Sequence, residues 1–187
     1  MRIFIAIILI ALAAIGTWDL RDGALDMLPG EQYGSVKSQT KNLPFEVKTP
    51  SHILPGFKFQ KKESLAFFKE NPGGIPQVNL FFQSDGGKNE YLLKQHDRAR
   101  YESEALAAAR MPDFETYFAG YRKMEAVQRN GKTIYVTIPT AKTRTAFGDL
   151  EYAAAGAFVT VDSVVELDYF GEDAISEEEM LKVLLSL

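Results

Sequence analysis

Two short stretches, Asn130-Gly131 and Asp85-Gly86-Gly87, constrain the fold of this chain more than any other feature. Asn130-Gly131 separates two alternating segments, Met124–Gln128 and Thr133–Ile138. Both turn residues tolerate positive φ, which a tight two-residue hairpin requires. Asp85-Gly86-Gly87 lies between the apolar runs Val78–Phe82 and Tyr91–Leu93 and carries the same hairpin chemistry. Two hairpins joined by a long intervening segment predict a mainly antiparallel sheet.

Further strands are expected around them. Residues 44–59 read PFEVKTPSHILPGFKF. Phe45-Glu46-Val47 alternates as an edge strand would, and Pro50 and Pro55 cannot donate to a ladder. Leu54-Pro55-Gly56-Phe57 has the residue order of a type II turn, leading into Phe57-Lys58-Phe59. Ser64–Phe68 reads as an adjoining strand, ended by Asn71-Pro72-Gly73-Gly74. Ala157–Tyr169 reads as sheet, split in two near Asp162-Ser163. Phe67-Phe68 and Phe81-Phe82 each place one aromatic on either side of a strand, so either both sheet faces are covered or one of them is a binding surface.

Helical spacing takes over in residues 97–121. Tyr101, Ala105, Leu106 and Ala109 share a helix face, with Asp97 as N-cap and Pro112 as terminator. Phe114, Tyr117, Phe118 and Tyr121 follow at i, i+3, i+4 and i+7, the spacing of a second amphipathic helix. At the C-terminus Ser176-Glu177-Glu178-Glu179 is a capping box ahead of an apolar face of Met180, Leu181, Leu184, Leu185 and Leu187. The predicted class is α+β: a mainly antiparallel β-sheet packed against a few helices, with a C-terminal capping helix.

The 187 residues are 46% hydrophobic and 25% charged, with a formal net charge of −4, enough for one ordinary domain. That balance lacks the basic footprint of a nucleic-acid binder. The chain has no cysteine, which removes disulfides, thiol nucleophiles and thiolate metal sites. Residues 1–16 read MRIFIAIILIALAAIG: a basic Arg2, a short apolar run and small-x-small triplets, the grammar of a signal peptide. The alternative is an uncleaved N-terminal anchor with Trp18 at the interface, membrane contact then being confined to residues 1–18. Residues 17–43 have no sustained period and read as a linker or arm, leaving 44–187 as a single α+β domain. The expected location is extracytoplasmic, periplasmic or secreted.

The stretches Pro44-Phe45, Pro50 and Leu54-Pro55-Gly56-Phe57, the strand and hairpin within Val78–Gln95, and the ending Ile175-Ser176-Glu177-Glu178-Glu179 with Ser186-Leu187 carry a likeness to a family. They resemble the extracytoplasmic domain of some bacterial membrane-anchored anti-sigma factors. The resemblance covers roughly residues 43–96 and 157–187, and implies an exported binding or sensing module distantly like lipoprotein-carrier folds. It supplies no catalytic residue. Only Met1-Arg2 precedes the apolar run, so a sigma-binding activity is not expected.

Chemistry-bearing candidates are few. His96 stands beside Asp97, a pairing that can orient an imidazole, but the expected role is a solvated His at a strand end. The sequence contains no HExxH, no Gly-x-Ser-x-Gly and no phosphate-binding loop, so no catalytic residue, metal or cofactor is assigned. Asp162, Glu166 and Asp168 fall near one strand, and Glu166 and Asp168 share a face. The ligand-binding candidates are Phe114, Tyr117, Phe118 and Tyr121, which line either a pocket or the core. The functional expectation is a non-enzymatic exported envelope protein acting as a binding module, its partner an envelope protein or an apolar ligand. The alternatives are a lipid or lipoprotein carrier with an apolar cavity and, behind it, an envelope-polymer hydrolase.

Overall fold

In the computed structural model, residues 36, 40–64, 75–144 and 150–187 are described. A compact unit runs from Gln32 to Leu187. The Asn130-Gly131 turn forms as expected, at φ 51° and 73°, and joins β4 (Glu125–Arg129) to β5 (Lys132–Thr137). Gly86 and Gly87, at φ 90° and 70°, join β2 (Gln77–Ser84) to β3 (Asn89–Asp97). The Leu54 carbonyl accepts from the Phe57 amide at 3.0 Å, with Gly56 at φ 79°, and this turn starts β1 (Phe57–Phe59). The third long hairpin joins β7 (Leu150–Val159) to β8 (Ser163–Gly171). At its turn the Thr160 amide donates to the Ser163 carbonyl at 2.8 Å, and the Thr160 hydroxyl oxygen accepts from the Ser163 amide at 2.9 Å. The strand order is β1-β2-β3-β8-β7-β5-β4, all antiparallel, with the two-residue β6 (Thr143–Arg144) on the start of β7.

Three local expectations change. Phe45–Val47 is not a strand. Residues 44–50 cross a face of the sheet and bury Phe45 in the core. The fully buried Gln95 of β3 holds them there: its Oε1 accepts from the Lys48 amide at 2.8 Å, and its Nε2 donates to the Lys48 carbonyl at 2.6 Å. A side-chain amide thus stands in for a neighbouring strand, a bond that prolines at 44 and 50 do not obstruct. Ser64 is not the start of a strand but the last residue of a short helix, α1 (Lys61–Ser64). Its hydroxyl accepts from the Phe81 amide at 2.7 Å, satisfying the outer edge of β2 beyond β1. The remainder of the expected strand, residues 65–68, lies outside the described residues. Finally, β7 starts at Leu150, well before the expected Ala157, because its Ala153-Ala154-Ala155-Gly156 run carries almost no strand signal.

Both faces of the sheet are covered. On the first, Leu80, Phe82, Leu93, Phe158, Val165 and Leu167 pack under α4 (Glu177–Leu185), whose Met180, Leu181, Val183 and Leu184 are buried. The predicted capping box starts α4: the Ser176 hydroxyl accepts from the Glu179 amide at 3.2 Å, and the Glu179 carboxylate accepts from the Ser176 amide at 3.1 Å. Phe82 and Tyr91 stack at 4.4 Å within this layer.

The second face carries the helical layer. Its first segment, α2, runs Arg98–Tyr101 as α-helix, widens to a π-helix over Glu102–Leu106 and closes at Ala107–Ala109. Asp97 caps it, its Oδ1 accepting from the Arg100 amide at 2.8 Å. Arg110 ends it in the left-handed region, at φ 57°, ahead of the expected terminator Pro112. The second segment, α3 (Thr116–Tyr121), is wholly π-helical. Tyr101, Leu106, Phe114, Tyr117 and Phe118 of this layer pack on Tyr135, Ala157 and Val164 of the sheet.

The small residues of β7 let both layers approach. A Cβ built on Gly156 would lie 2.6 Å from Leu184 Cδ1 and 2.8 Å from Met180 Sδ, both side chains fully buried. Gly156→Ala is therefore expected to lower stability by about 1–3 kcal/mol through overpacking. A urea denaturation midpoint shifted downward at constant slope checks it; an unchanged midpoint refutes the tight fit.

Candidate functional site

The four predicted ligand-binding residues do not share one environment. Phe114, Tyr117 and Phe118 are buried in the second core. Phe118 meets Tyr117 edge-on at 5.2 Å and stacks on Tyr135 of β5 at 5.2 Å. Phe114 also lines an open depression of about 380 Å³ with Arg98, Glu102, Leu106 and Met111. Tyr121 stacks on Tyr117 at 5.7 Å but is 58% exposed. The stripe is a packed layer with one aromatic at its solvent rim.

His96 is not solvated, and Asp97 does not orient it. Successive strand residues point to opposite faces. Asp97 turns away to cap α2, while His96 lies buried on the face under the helical layer. Its partner is Glu166 of β8. His96 Nε2 is 3.2 Å from Glu166 Oε2, close enough for an ion pair, yet neither ring nitrogen makes a directional hydrogen bond. The Tyr101 ring meets the imidazole edge-on at 5.2 Å.

The sheet register builds a charged cluster around that carboxylate. Lys94 sits directly opposite Glu166 across the β3–β8 ladder, and His96 lies one step diagonally from it. Lys94 Nζ pairs with Asp168 Oδ2 at 2.5 Å. Arg122, just beyond α3, places Nη1 3.2 Å from the other oxygen, Glu166 Oε1. One carboxylate therefore meets a side chain from β3 and another from just beyond α3. Glu166 and Asp168 share a face as the sequence predicted. Asp162 does not join them; it accepts from the Thr160 hydroxyl at 2.8 Å in the β7–β8 turn. Arg122 carried no sequence signal, since it follows an apparently complete helix and meets Glu166 only through the fold.

The electrostatics follow from burial and neighbours. Burial pushes the Glu166 carboxyl upward, but His96, Arg122 and Lys94 outweigh it and hold the group below the ordinary glutamate range. For Arg122, burial acts downward, while Glu166 and the Tyr117 hydroxyl more than compensate and raise it. Burial, then the Glu166 charge and Tyr117, push the Tyr101 phenol far above its usual range, so it stays a neutral hydroxyl. That hydroxyl lies 3.4 Å from the Tyr117 hydroxyl.

Lys94 and Arg122 are about a third exposed and Asp168 about a fifth, so solvent reaches the outer half of the cluster, while Glu166 and His96 stay inside. Exposed Phe170 shares the face of β8 with Asp168. Among the described residues no group of three or more His, Cys, Asp or Glu side chains is placed to hold a metal ion, and no helix is long and apolar enough to cross a membrane. No family model matches the chain, and no curated protein or solved structure matches it.

The depressed Glu166 carboxyl links stability to pH. Its contribution is complete above the unfolded value of about 4.3 and is lost as pH falls through the lower native value. Wild type should therefore be more stable than Glu166→Gln near neutrality, with the gap closing on acidification. Urea denaturation of both proteins across a pH series checks this; a gap independent of pH refutes it.

Proposed function

We propose that this chain is an exported binding module of the cell envelope, acting by association rather than catalysis, and that its contact surface lies around Arg122. The carrying observation is the Glu166-centred cluster, gathered from β3, β8 and the end of α3 and left open along Lys94, Asp168 and Arg122. Gathering charges in a half-buried site is costly, and packing alone would not require it. Such clusters concentrate at functional sites. The exposed aromatics Tyr121 and Phe170 supply the other half of an interface. Tyrosine and arginine dominate the energetic centres of protein contacts.

A protein partner fits better than an acyl chain. A carrier needs a continuous apolar cavity, whereas here the helical layer is filled by stacked rings of Phe114, Tyr117, Phe118 and Tyr135. The first face is filled down to Gly156. The apolar run of residues 3–15 is the export signal, or a tether if it is retained.

The test is native mass spectrometry of the full chain recovered gently from an envelope fraction. The expected result is a co-recovered protein whose yield falls roughly tenfold with Tyr121→Ala or Phe170→Ser. A bound species of lipid mass would favour the carrier, and a bare polypeptide would count against any tight partner. The polypeptide mass also tells whether residues 1–16 have been removed.

A further inference from the structure

The helical layer forms a core of its own. Tyr101, Leu106, Phe114, Tyr117, Phe118 and Met124 cluster with Tyr135, Ala157 and Val164 of the sheet. The other core unites the sheet with α4 and the segment around Phe45 and Leu54, and shares no buried residue with it. Loss of the helical layer would leave that second assembly complete. Elements of this kind open as separate units below the global unfolding free energy.

The two ends of the layer are held differently. At the entry the backbone is fixed. Asp97 caps α2, the Arg98 amide donates to the Asp162 carbonyl at 3.1 Å, and Arg98 Nη1 donates to the Thr160 carbonyl at 2.9 Å. At the exit the Met124 amide, just ahead of β4, donates to the Phe118 carbonyl at 3.0 Å, and the Arg122 side chain reaches across to Glu166 of the sheet. Lys123 follows at φ 59°, and Arg110 between α2 and α3 lies at φ 57°. Non-glycine residues in the left-handed region carry strain that their surroundings must hold in place. Both helical segments are also partly or wholly π-helical, a geometry found mostly as isolated bulges at functional sites.

We infer that residues 98–121 are a separately opening cover, hinged at Asp97-Arg98 and latched by the Arg122–Glu166 pair. Opening bares His96 and Glu166, together with the apolar patch of Tyr135, Ala157 and Val164. The cover is independent of the partner reading, since it depends only on the two cores and the latch.

Native-state hydrogen exchange of the full chain, read by mass spectrometry near neutral pH, tests it. In Arg122→Gln, amides of residues 110–121 should exchange roughly tenfold faster, with those of β2, β3 and α4 unchanged. Arg122→Lys, which keeps the charge, should restore part of the protection. Phe118→Ala should loosen the same segment alone, whereas Leu184→Ala should loosen the whole unit. If the cover amides of Arg122→Gln exchange as in wild type, there is no latch. If they accelerate equally with the sheet and α4, in Arg122→Gln or in Phe118→Ala, the layer unfolds only with the whole domain and the inference fails.

Discussion

Nine residue pairs, from Asn89 opposite Gly171 to Asp97 opposite Ser163, join β3 to β8. This ladder unites two hairpins distant in the chain, β2–β3 and β7–β8, into one sheet. Closing so long a loop is entropically unfavourable, so the pairing needs support from both faces. It also sets the positions of everything chemical. Lys94 faces Glu166 because of this register, and a slip of one residue would put the two on opposite faces of the sheet.

The two faces use the ladder differently. On the first face, apolar packing under α4 is close enough that glycine is needed at position 156. That face is ordinary core, and its buried Gln95 is matched by both backbone groups of Lys48. The second face mixes stacked aromatics with a charged cluster, and its covering layer is wound irregularly. Close apolar packing and the charged cluster are thus divided between the two sides of one sheet.

Glycine-bearing turns and the capping box were readable because their chemistry is local. Asn130-Gly131, Gly56 and Ser176–Glu179 do in the structure what their neighbours in sequence require. The start of β7 was not readable. Alanine and glycine favour no strand on their own, and they are present because helices press on both sides. Residues 45–47 looked like a strand because alternation reports which side chains are buried, not what the backbone bonds to. Here the backbone bonds, at Lys48, to a side chain from a strand forty-seven residues away.

The candidate site divides in the same way. The aromatic stripe Phe114–Tyr121 could be found from its period alone, and so could the shared face of Glu166 and Asp168. The burial of His96 and its pairing with Glu166 could not, since those residues lie seventy positions apart and meet only through strand register. Arg122 was equally hidden. By itself the sequence determined the α+β class, the hairpins, the caps and the amphipathic helices, because each depends on side chains within a few residues of one another. Only the tertiary structure decided which face the helical layer covers, which charges meet at Glu166 and which aromatics stay exposed, because those outcomes depend on long-range pairing that no local pattern encodes.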